Sequence, residues 1–164
     1  MKRISLAFSI FFIITTGFAQ YDTTPPYLKT KQIPSFKLLN VDSVLFTESV
    51  LIKSKPTLFM LFNPDCGHCK QQLELLLSMP EITQKTQVIL ATSEALHKIK
   101  TFREIYGLDK YPFIFIGKDF KYFFGGYFQP KTIPVLAFYN KEQKFVNLFQ
   151  GTTKKKQVQK SLQQ

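Results

Sequence analysis

The sequence predicts an α/β fold in which a mixed β-sheet is flanked by helices. The first observation is an almost unbroken apolar run, residues 57–62, between Pro56 and the pair Asn63-Pro64. Such a run is typical of a strand that is buried on both faces. The second observation is a helical pattern at 71–78, directly after that strand. The third is the order of predicted elements, β-α-β-α-β-β-α, which indicates helices packed around a sheet.

Length and composition suit one globular domain. The chain has 164 residues, and 45% of them are apolar. It contains 18 Phe and 7 Tyr but no Trp. Many of these rings must fill the core, which leaves a minority that can line a partner-binding surface.

The chain is basic, with a formal net charge of +11. The basic residues are spread along the chain, apart from Lys154-Lys155-Lys156, and form no compact basic-aromatic motif. This distribution favours a solvated surface over a nucleic-acid site. We therefore expect no nucleic-acid partner.

Residues 1–19 have the pattern of a signal peptide. Lys2 and Arg3 form a positive start, and the apolar stretch that follows is shorter than the roughly 20 residues of a membrane-spanning helix. Small residues precede the bond between Ala19 and Gln20, where we predict cleavage. No cysteine lies near this bond, which argues against a lipid anchor. The protein is therefore expected to be periplasmic or otherwise exported, with an uncleaved membrane anchor as the alternative.

The mature chain begins with an extended lead-in at 20–32, marked by Pro25-Pro26. The single domain then covers 33–164. It opens with two short apolar runs, 35–40 and 43–46, which predict an N-terminal β-hairpin.

Helix 71–78 is expected to be capped by Asn63 or Asp65 and to end or bend at Met79-Pro80. A strand at 87–91 and a helix at 94–106 follow. Thr92 or Ser93 is the predicted cap of the second helix, and Gly107 its stop. Its buried stripe is predicted at four positions: Ile99, Phe102, Ile105 and Tyr106.

The last third of the chain has weaker patterns. They are a short apolar run at 111–116, an aromatic loop or irregular helix at 119–128, paired strands at 134–139 and 144–149, and a basic helix at 154–162.

The chain has two cysteines, Cys66 and Cys69, at the predicted start of a helix. A disulfide between them would close too short a loop to stabilise the fold, so in an exported protein the pair indicates redox chemistry. The helix N-terminus would favour the Cys66 thiolate as nucleophile, with Cys69 resolving the mixed disulfide. His68 and Lys70 are expected to add positive charge that stabilises this thiolate.

Two other interpretations of the cysteines were weighed. A zinc site would need two more ligands, yet there is no third cysteine, and His97 is the single histidine outside the motif. We therefore predict no metal and no cofactor. A disulfide left on a fold used for binding stays open, because a fold does not guarantee an activity.

On these motifs the chain resembles the thioredoxin superfamily, and within it the exported TlpA/ResA-like branch of thiol–disulfide oxidoreductases. The resemblance covers 33–162, with 33–38 similar to the first strand of that branch and 55–62 to its central strand. The run from Cys66 through Gly67 and His68 to Cys69 is the tetrapeptide of protein disulfide isomerases. The resemblance implies a thioredoxin-like sandwich with a redox-active Cys66–Cys69 disulfide.

The resemblance also implies a substrate-binding segment at Thr132, Ile133 and Pro134. This tripeptide falls where the family keeps a cis-proline facing the dithiol. Ile133 would then offer its backbone to an extended substrate segment.

Three positions depart from the family pattern. Asp65 stands where a Trp usually precedes the first cysteine, and Met60 stands where a buried acid assists deprotonation of the second. Glu74 replaces the proline of the active-site helix. The group that deprotonates Cys69 is therefore open, with solvent or His68 as candidates, and neither Glu48 nor Glu74 can be placed beside it from sequence.

We expect an exported monomer that exchanges disulfides with protein substrates, acting as a reductant that a membrane electron donor re-reduces. A disulfide oxidase or isomerase, favoured by His68, and a non-catalytic binding module are the alternatives. A peroxidase is disfavoured, because the residues before Cys66 lack the Pro-x-x-x-Thr/Ser-x-x-Cys context. An apolar rim for flexible partners is predicted from four rings, with core packing as the alternative for each: Phe123, Phe124, Tyr127 and Phe128.

Overall fold

A computed structural model describes residues 22–164, so the predicted signal peptide lies outside the described residues. The strands are β1 (Lys37–Leu39), β2 (Leu45–Thr47), β3 (Thr57–Leu61), β4 (Gln87–Thr92), β5 (Ile114–Lys118), β6 (Val135–Tyr139) and β7 (Phe145–Gln150). The α-helices are α1 (Pro26–Thr30), α2 (Gly67–Leu77), α3 (Pro80–Lys85), α4 (Leu96–Ile105), α5 (Phe123–Phe128) and α6 (Lys155–Leu162). None of these described helices has the length and apolar character needed to cross a membrane.

One mixed sheet holds all seven strands in the order β2-β1-β5-β4-β3-β6-β7. The central strands β3, β4 and β5 run parallel, and β6 and β7 continue the sheet antiparallel beside β3. The predicted hairpin is present as β1 and β2, and a single pair, Leu39 with Lys118, joins it to β5. The predicted α/β class, with a mixed sheet and an N-terminal hairpin, is therefore confirmed.

Strand β3 is buried on both faces, as its apolar run predicts. Leu58 and Met60 pack into a cluster with side chains of α2, α3, α4 and α6. Phe59 points to the opposite face, into a second cluster with α5 and the hairpin. Helices thus cover both faces of the sheet, and the chain that follows β3 leaves the sheet at one of its edges.

The second cluster is mainly aromatic and corrects the predicted rim. Phe124 and Phe128 are each 1% exposed and stack on one another with ring centroids 5.8 Å apart. Tyr127 is also buried, and its hydroxyl donates to the Gln32 carbonyl at 3.0 Å. Core packing is therefore the right interpretation for these three rings, and only Phe123 stays half-exposed.

Prolines begin two helices that the sequence interpretation missed. Residues 26–30 of the expected extended lead-in form α1, with Pro26 in the first turn. N–H groups in the first turn have no partner within the helix, so the missing N–H of proline costs no hydrogen bond there. Pro80 likewise begins α3 as well as following α2. Both prolines were interpreted as breakers, although their fixed φ also suits a helix start.

Other boundaries differ for local reasons. The run at 111–116 contains part of a full strand, β5, which the predicted element order omitted. Helix α4 begins at Leu96 with Ala95 as its cap residue, and neither Thr92 nor Ser93 caps it. Ile105 ends the helix 71% exposed, so the buried stripe is shorter than predicted.

Candidate active site

Cys66 lies at the start of α2, five residues beyond Leu61, the last residue of β3. It is the N-cap residue itself, in place of the predicted Asn63 or Asp65, and its sulfur accepts a hydrogen bond from the Cys69 backbone N–H at 3.4 Å. Its own N–H donates to the Asn63 carbonyl at 3.0 Å. The turn thus holds the Cys66 sulfur against the free amides of a helix N-terminus, which favour an anion.

The two thiols differ sharply in exposure. Cys66 is half-buried and reachable from solvent, whereas Cys69, one turn along α2, is fully buried in the core cluster. Both are free thiols in the structure, and the predicted disulfide between them stays a prediction.

The same geometry moves the two pKa values in opposite directions. A hydrogen bond from the Cys69 thiol, joined by the backbone amides of Cys69 and His68 and by the Lys70 charge, lowers the pKa of Cys66. Burial, together with the nearby Cys66, raises the pKa of Cys69 to about 12, against a hydrogen bond from the Asn63 backbone. The arrangement favours a thiolate at the exposed position and a protonated thiol at the buried one.

The other motif residues are exposed on the first turn of α2. Gly67 and His68 face solvent, and the contribution of His68 to the pKa of Cys66 is its backbone N–H, whereas the expected group was the imidazole. Lys70 is also exposed and acts through its charge, as predicted.

Asp65 is tied to α4. Its carboxylate accepts a hydrogen bond from the Lys98 ammonium at 2.6 Å, and this contact lowers the pKa of Asp65. Lys98 also pairs with Glu94 at 3.4 Å, and Glu94 accepts from the Asn63 side-chain amide at 2.8 Å. Sequence reasoning named Asn63 as a helix cap and missed Glu94 and Lys98, although the i,i+4 spacing of these two residues is a visible signal of an ion pair.

The predicted substrate segment lies at the same end of the sheet. The peptide bond between Ile133 and Pro134 is cis, as the resemblance implies. Because β3 and β6 pair with Leu61 opposite Val135, the residues just before β6 lie beside the loop that leads to Cys66. Ile133 and Cys66 both pack against the core cluster that contains Cys69.

The segment is anchored to the last strand. The Gln150 side chain accepts hydrogen bonds from the backbone N–H groups of Lys131 and Thr132, at 2.7 and 3.3 Å. The Pro134 carbonyl accepts from the Gly151 N–H at 2.8 Å. Thr132 is exposed and Ile133 half-buried, so this stretch meets solvent while its flanks are fixed.

No carboxylate among residues 22–164 is among the groups that act on the pKa of Cys69. Met60 is fully buried in the same core cluster as Cys69. Glu48 accepts from the Phe36 N–H near the hairpin, and Glu74 accepts from the Tyr106 hydroxyl on the surface of α2. Within the same residues, no group of three or more His, Cys, Asp or Glu side chains is arranged to hold a metal.

Two surface cavities adjoin the loop before Cys66. One, of about 220 Å³, is lined by Asn63, Ile133 and Tyr122, whose ring is 70% exposed. The other, of about 250 Å³, lies between α2 and α4 and includes Asp65 and Ile105 in its lining. Both cavities therefore lie beside the loop that leads to the dithiol.

Solved structures with the same architecture share this arrangement of strands and helices. A secreted disulfide oxidoreductase of Mycobacterium tuberculosis, homologous to Escherichia coli DsbE, aligns with a TM-score of 0.63 over 77% of this chain and 92% of its own, at 14% identity. The chain has the thioredoxin fold. The pneumococcal exposed lipoprotein thioredoxin Etrx1 of Streptococcus pneumoniae has the same fold, with a TM-score of 0.60 over 79% of this chain and 98% of its own, at 21% identity.

A third structure with the thioredoxin fold is a thiol:disulfide interchange protein of the thioredoxin family from Chlorobium tepidum. It aligns with a TM-score of 0.62 over 87% of this chain and 97% of its own, at 18% identity. Comparison with protein-family models and with curated proteins gives no match. Identities this low establish the thioredoxin fold, and the chemistry has to be argued from the site.

Proposed function

We propose that the protein is an exported thiol–disulfide oxidoreductase that exchanges disulfides with protein substrates through Cys66 and Cys69. The observation that carries the proposal is the asymmetry of the two thiols. Cys66 is accessible, with amides aimed at its sulfur and a lowered pKa, while Cys69 is buried with a raised pKa. A dithiol catalyst needs this division between a nucleophile and a resolving group.

In the reducing direction, the Cys66 thiolate attacks a substrate disulfide. The substrate S–S bond breaks, a mixed disulfide forms with Cys66, and the departing substrate thiolate takes a proton from solvent. Cys69 then loses its proton and attacks the Cys66 sulfur. The Cys66–Cys69 disulfide forms and the second substrate thiolate leaves, so two electrons pass from the dithiol to the substrate. Oxidation of a substrate dithiol is the reverse sequence.

Substrate positioning is assigned to Thr132, Ile133 and Pro134. This assignment is supported by the position of the segment at the dithiol edge of the sheet and by its anchoring to Gln150. An extended substrate segment would pair with the Ile133 backbone, which would bring the substrate disulfide to Cys66. The exposed ring of Tyr122 adds an apolar contact in the neighbouring cavity.

We assign the reducing direction, with re-reduction by a membrane electron donor, on the resemblance to the exported TlpA/ResA-like branch. One observation favours an oxidase or isomerase as the second candidate: a lowered pKa of Cys66 stabilises the reduced form and makes the disulfide more oxidising. The reduction potential of the pair decides between them. A value near −270 mV supports the reductant, and a value near −120 mV would overturn that direction.

The activity is tested by reduction of insulin, a model protein disulfide, with dithiothreitol as the electron source. The wild-type protein should accelerate the reaction, and Cys66→Ser should abolish the acceleration while preserving the fold. Equal rates with the wild-type protein and with Cys66→Ser would favour the non-catalytic binding module. Export is tested separately by the mature N-terminus, which should begin at Gln20 when the protein is recovered from its native host.

A further inference from the structure

We propose that Glu94 is a positioning residue for the Cys66 nucleophile: through Asn63 it fixes the turn between β3 and α2, and with Lys98 it closes a ring of contacts around that turn. Nothing in the motif assigns Glu94 or Lys98 to the site. The inference rests on the proposed function, since it concerns the thiol that the proposed reaction uses.

Asn63 is the centre of the arrangement, because its side-chain oxygen, its side-chain amide and its carbonyl are directed at the turn or at Glu94. Its side-chain oxygen accepts from the Asp65 N–H at 2.8 Å, and its carbonyl accepts from the Cys66 N–H at 3.0 Å. Its side-chain amide donates to Glu94 Oε1 at 2.8 Å. The orientation of the Asn63 side chain therefore sets the path of the chain into both cysteines.

Glu94 holds that side chain from outside the loop. It lies just before α4, and its side chain is 28% exposed, more shielded than the other charged groups of the ring. A charge-assisted hydrogen bond from a neutral amide to a partly buried carboxylate is stronger than a bond between two neutral groups. Glu94 is thus the fixed acceptor against which Asn63 is oriented.

Lys98 closes the ring on its other side. It lies one turn after Glu94, contacts Glu94 at 3.4 Å, and reaches Asp65 at 2.6 Å. Each exposed ion pair contributes little to stability by itself. Together the contacts run from Asn63 through Glu94, Lys98 and Asp65 back to Asn63, so they restrict a three-residue turn at two points.

The direction in which the Cys66 pKa changes when Glu94 is replaced distinguishes a positioning role from a direct effect of the Glu94 charge. The titratable or charged groups near Cys66 are Cys69, His68 and Lys70 on α2 and the paired Asp65 with Lys98. The segment before β6 brings the uncharged Ile133 and Pro134. Removal of a negative charge at Glu94 would, by itself, favour the Cys66 thiolate and lower its pKa. Loosening of the turn would do the opposite, because the sulfur would be held less well against the helix amides.

The test is the pH dependence of Cys66 alkylation by iodoacetamide in the reduced protein. Glu94→Ala should raise the apparent pKa of Cys66 by about 1 and slow alkylation about threefold to fourfold at pH values below it, because the more basic thiolate is also more reactive. Glu94→Gln keeps an oxygen that can accept from Asn63, so it should rescue most of this loss. Glu104→Ala, which removes an exposed acid of α4, is the matched control and should behave like the wild-type protein.

A pKa that stays unchanged or falls in Glu94→Ala would overturn the proposal, and so would an equal loss in Glu94→Gln. If Glu94→Ala does not fold, Asn63→Ser serves instead, since its uncharged hydroxyl can still accept from the Asp65 N–H but it lacks the amide that donates to Glu94. It should raise the pKa in the same way. Alkylation needs no protein substrate. Inactivity toward insulin with a normal Glu94 effect would therefore refute the proposed function alone.

Discussion

Selective labelling of the two cysteines follows directly from their different surroundings. The reduced, folded protein is treated with a limiting amount of iodoacetamide at pH 8, and the label at each cysteine is measured by peptide mass spectrometry. The same labelling is repeated on the protein unfolded in denaturant, where both thiols are equally exposed to solvent. The labelling ratio of the unfolded protein is the reference for that of the folded protein.

The expected ratio comes from the two pKa values. With a pKa of about 12, Cys69 is about one part in ten thousand thiolate at pH 8, whereas Cys66, with a pKa below its ordinary 9.0, is roughly a tenth or more thiolate. The thiolate populations then differ about a thousandfold. The higher intrinsic reactivity of the more basic thiolate offsets a factor of about 20–30. Cys66 should therefore be labelled about thirtyfold faster or more, before the burial of Cys69 slows it further.

In denaturant the two cysteines should label within about twofold of one another, since their pKa values then return to the ordinary range. Equal labelling in the folded protein, or faster labelling of Cys69, would refute the assignment of Cys66 as nucleophile and Cys69 as buried resolving thiol.

Three further outcomes are expected. In the reduced protein the pKa of Cys69 is raised, so the unfolded state loses the Cys69 proton at a lower pH than the folded state does. The free energy of unfolding, measured by urea titration, should therefore fall as pH rises from about 9 toward 12. In Cys69→Ala the contribution of Cys69 to this decrease should be absent. Gly117→Ala should lower the free energy of unfolding by about 1–3 kcal/mol in the same titrations, because the new Cβ would lie 2.7 Å from the Phe46 ring. Gly126→Ala is the control and should not destabilise the protein, because its Cβ would have no atom within 4 Å. Phe59→Ala, which removes a fully buried ring from the aromatic cluster, should cost about 3–5 kcal/mol, and a cost below 1 kcal/mol would contradict the assigned core.

The central part of the fold was predictable because its signals are local. An unbroken apolar run can hardly be anything but a doubly buried strand, and β3 is buried at all of its five residues. The cysteines directly after that strand then had to lie at a helix start. The extended lead-in predicted at 20–32 was wrong for α1, and α3 was not predicted, because proline is compatible with both a helix start and a break and the local sequence does not choose between them.

The surroundings of the dithiol depended on contacts between distant residues. Asn63 and Glu94 are 31 positions apart, so their hydrogen bond has no counterpart in any local pattern. The inward rings likewise pack on distant residues: Phe128 on Tyr27, outside the predicted domain, with centroids 5.7 Å apart, and Phe124 on Phe36, with centroids 5.6 Å apart. Composition alone does not determine whether such aromatic residues lie on the surface or in the core.

The central claim is that Cys66 attacks protein disulfides and Cys69 resolves the product, and a Cys69→Ser variant produced in its native compartment tests it most directly. Without the resolving thiol, mixed disulfides through Cys66 should accumulate, be released by dithiothreitol, and be absent from the variant that carries both Cys66→Ser and Cys69→Ser. Mass spectrometry of the adducts would also identify the client proteins. A folded, exported Cys69→Ser protein that forms no adduct would contradict the account.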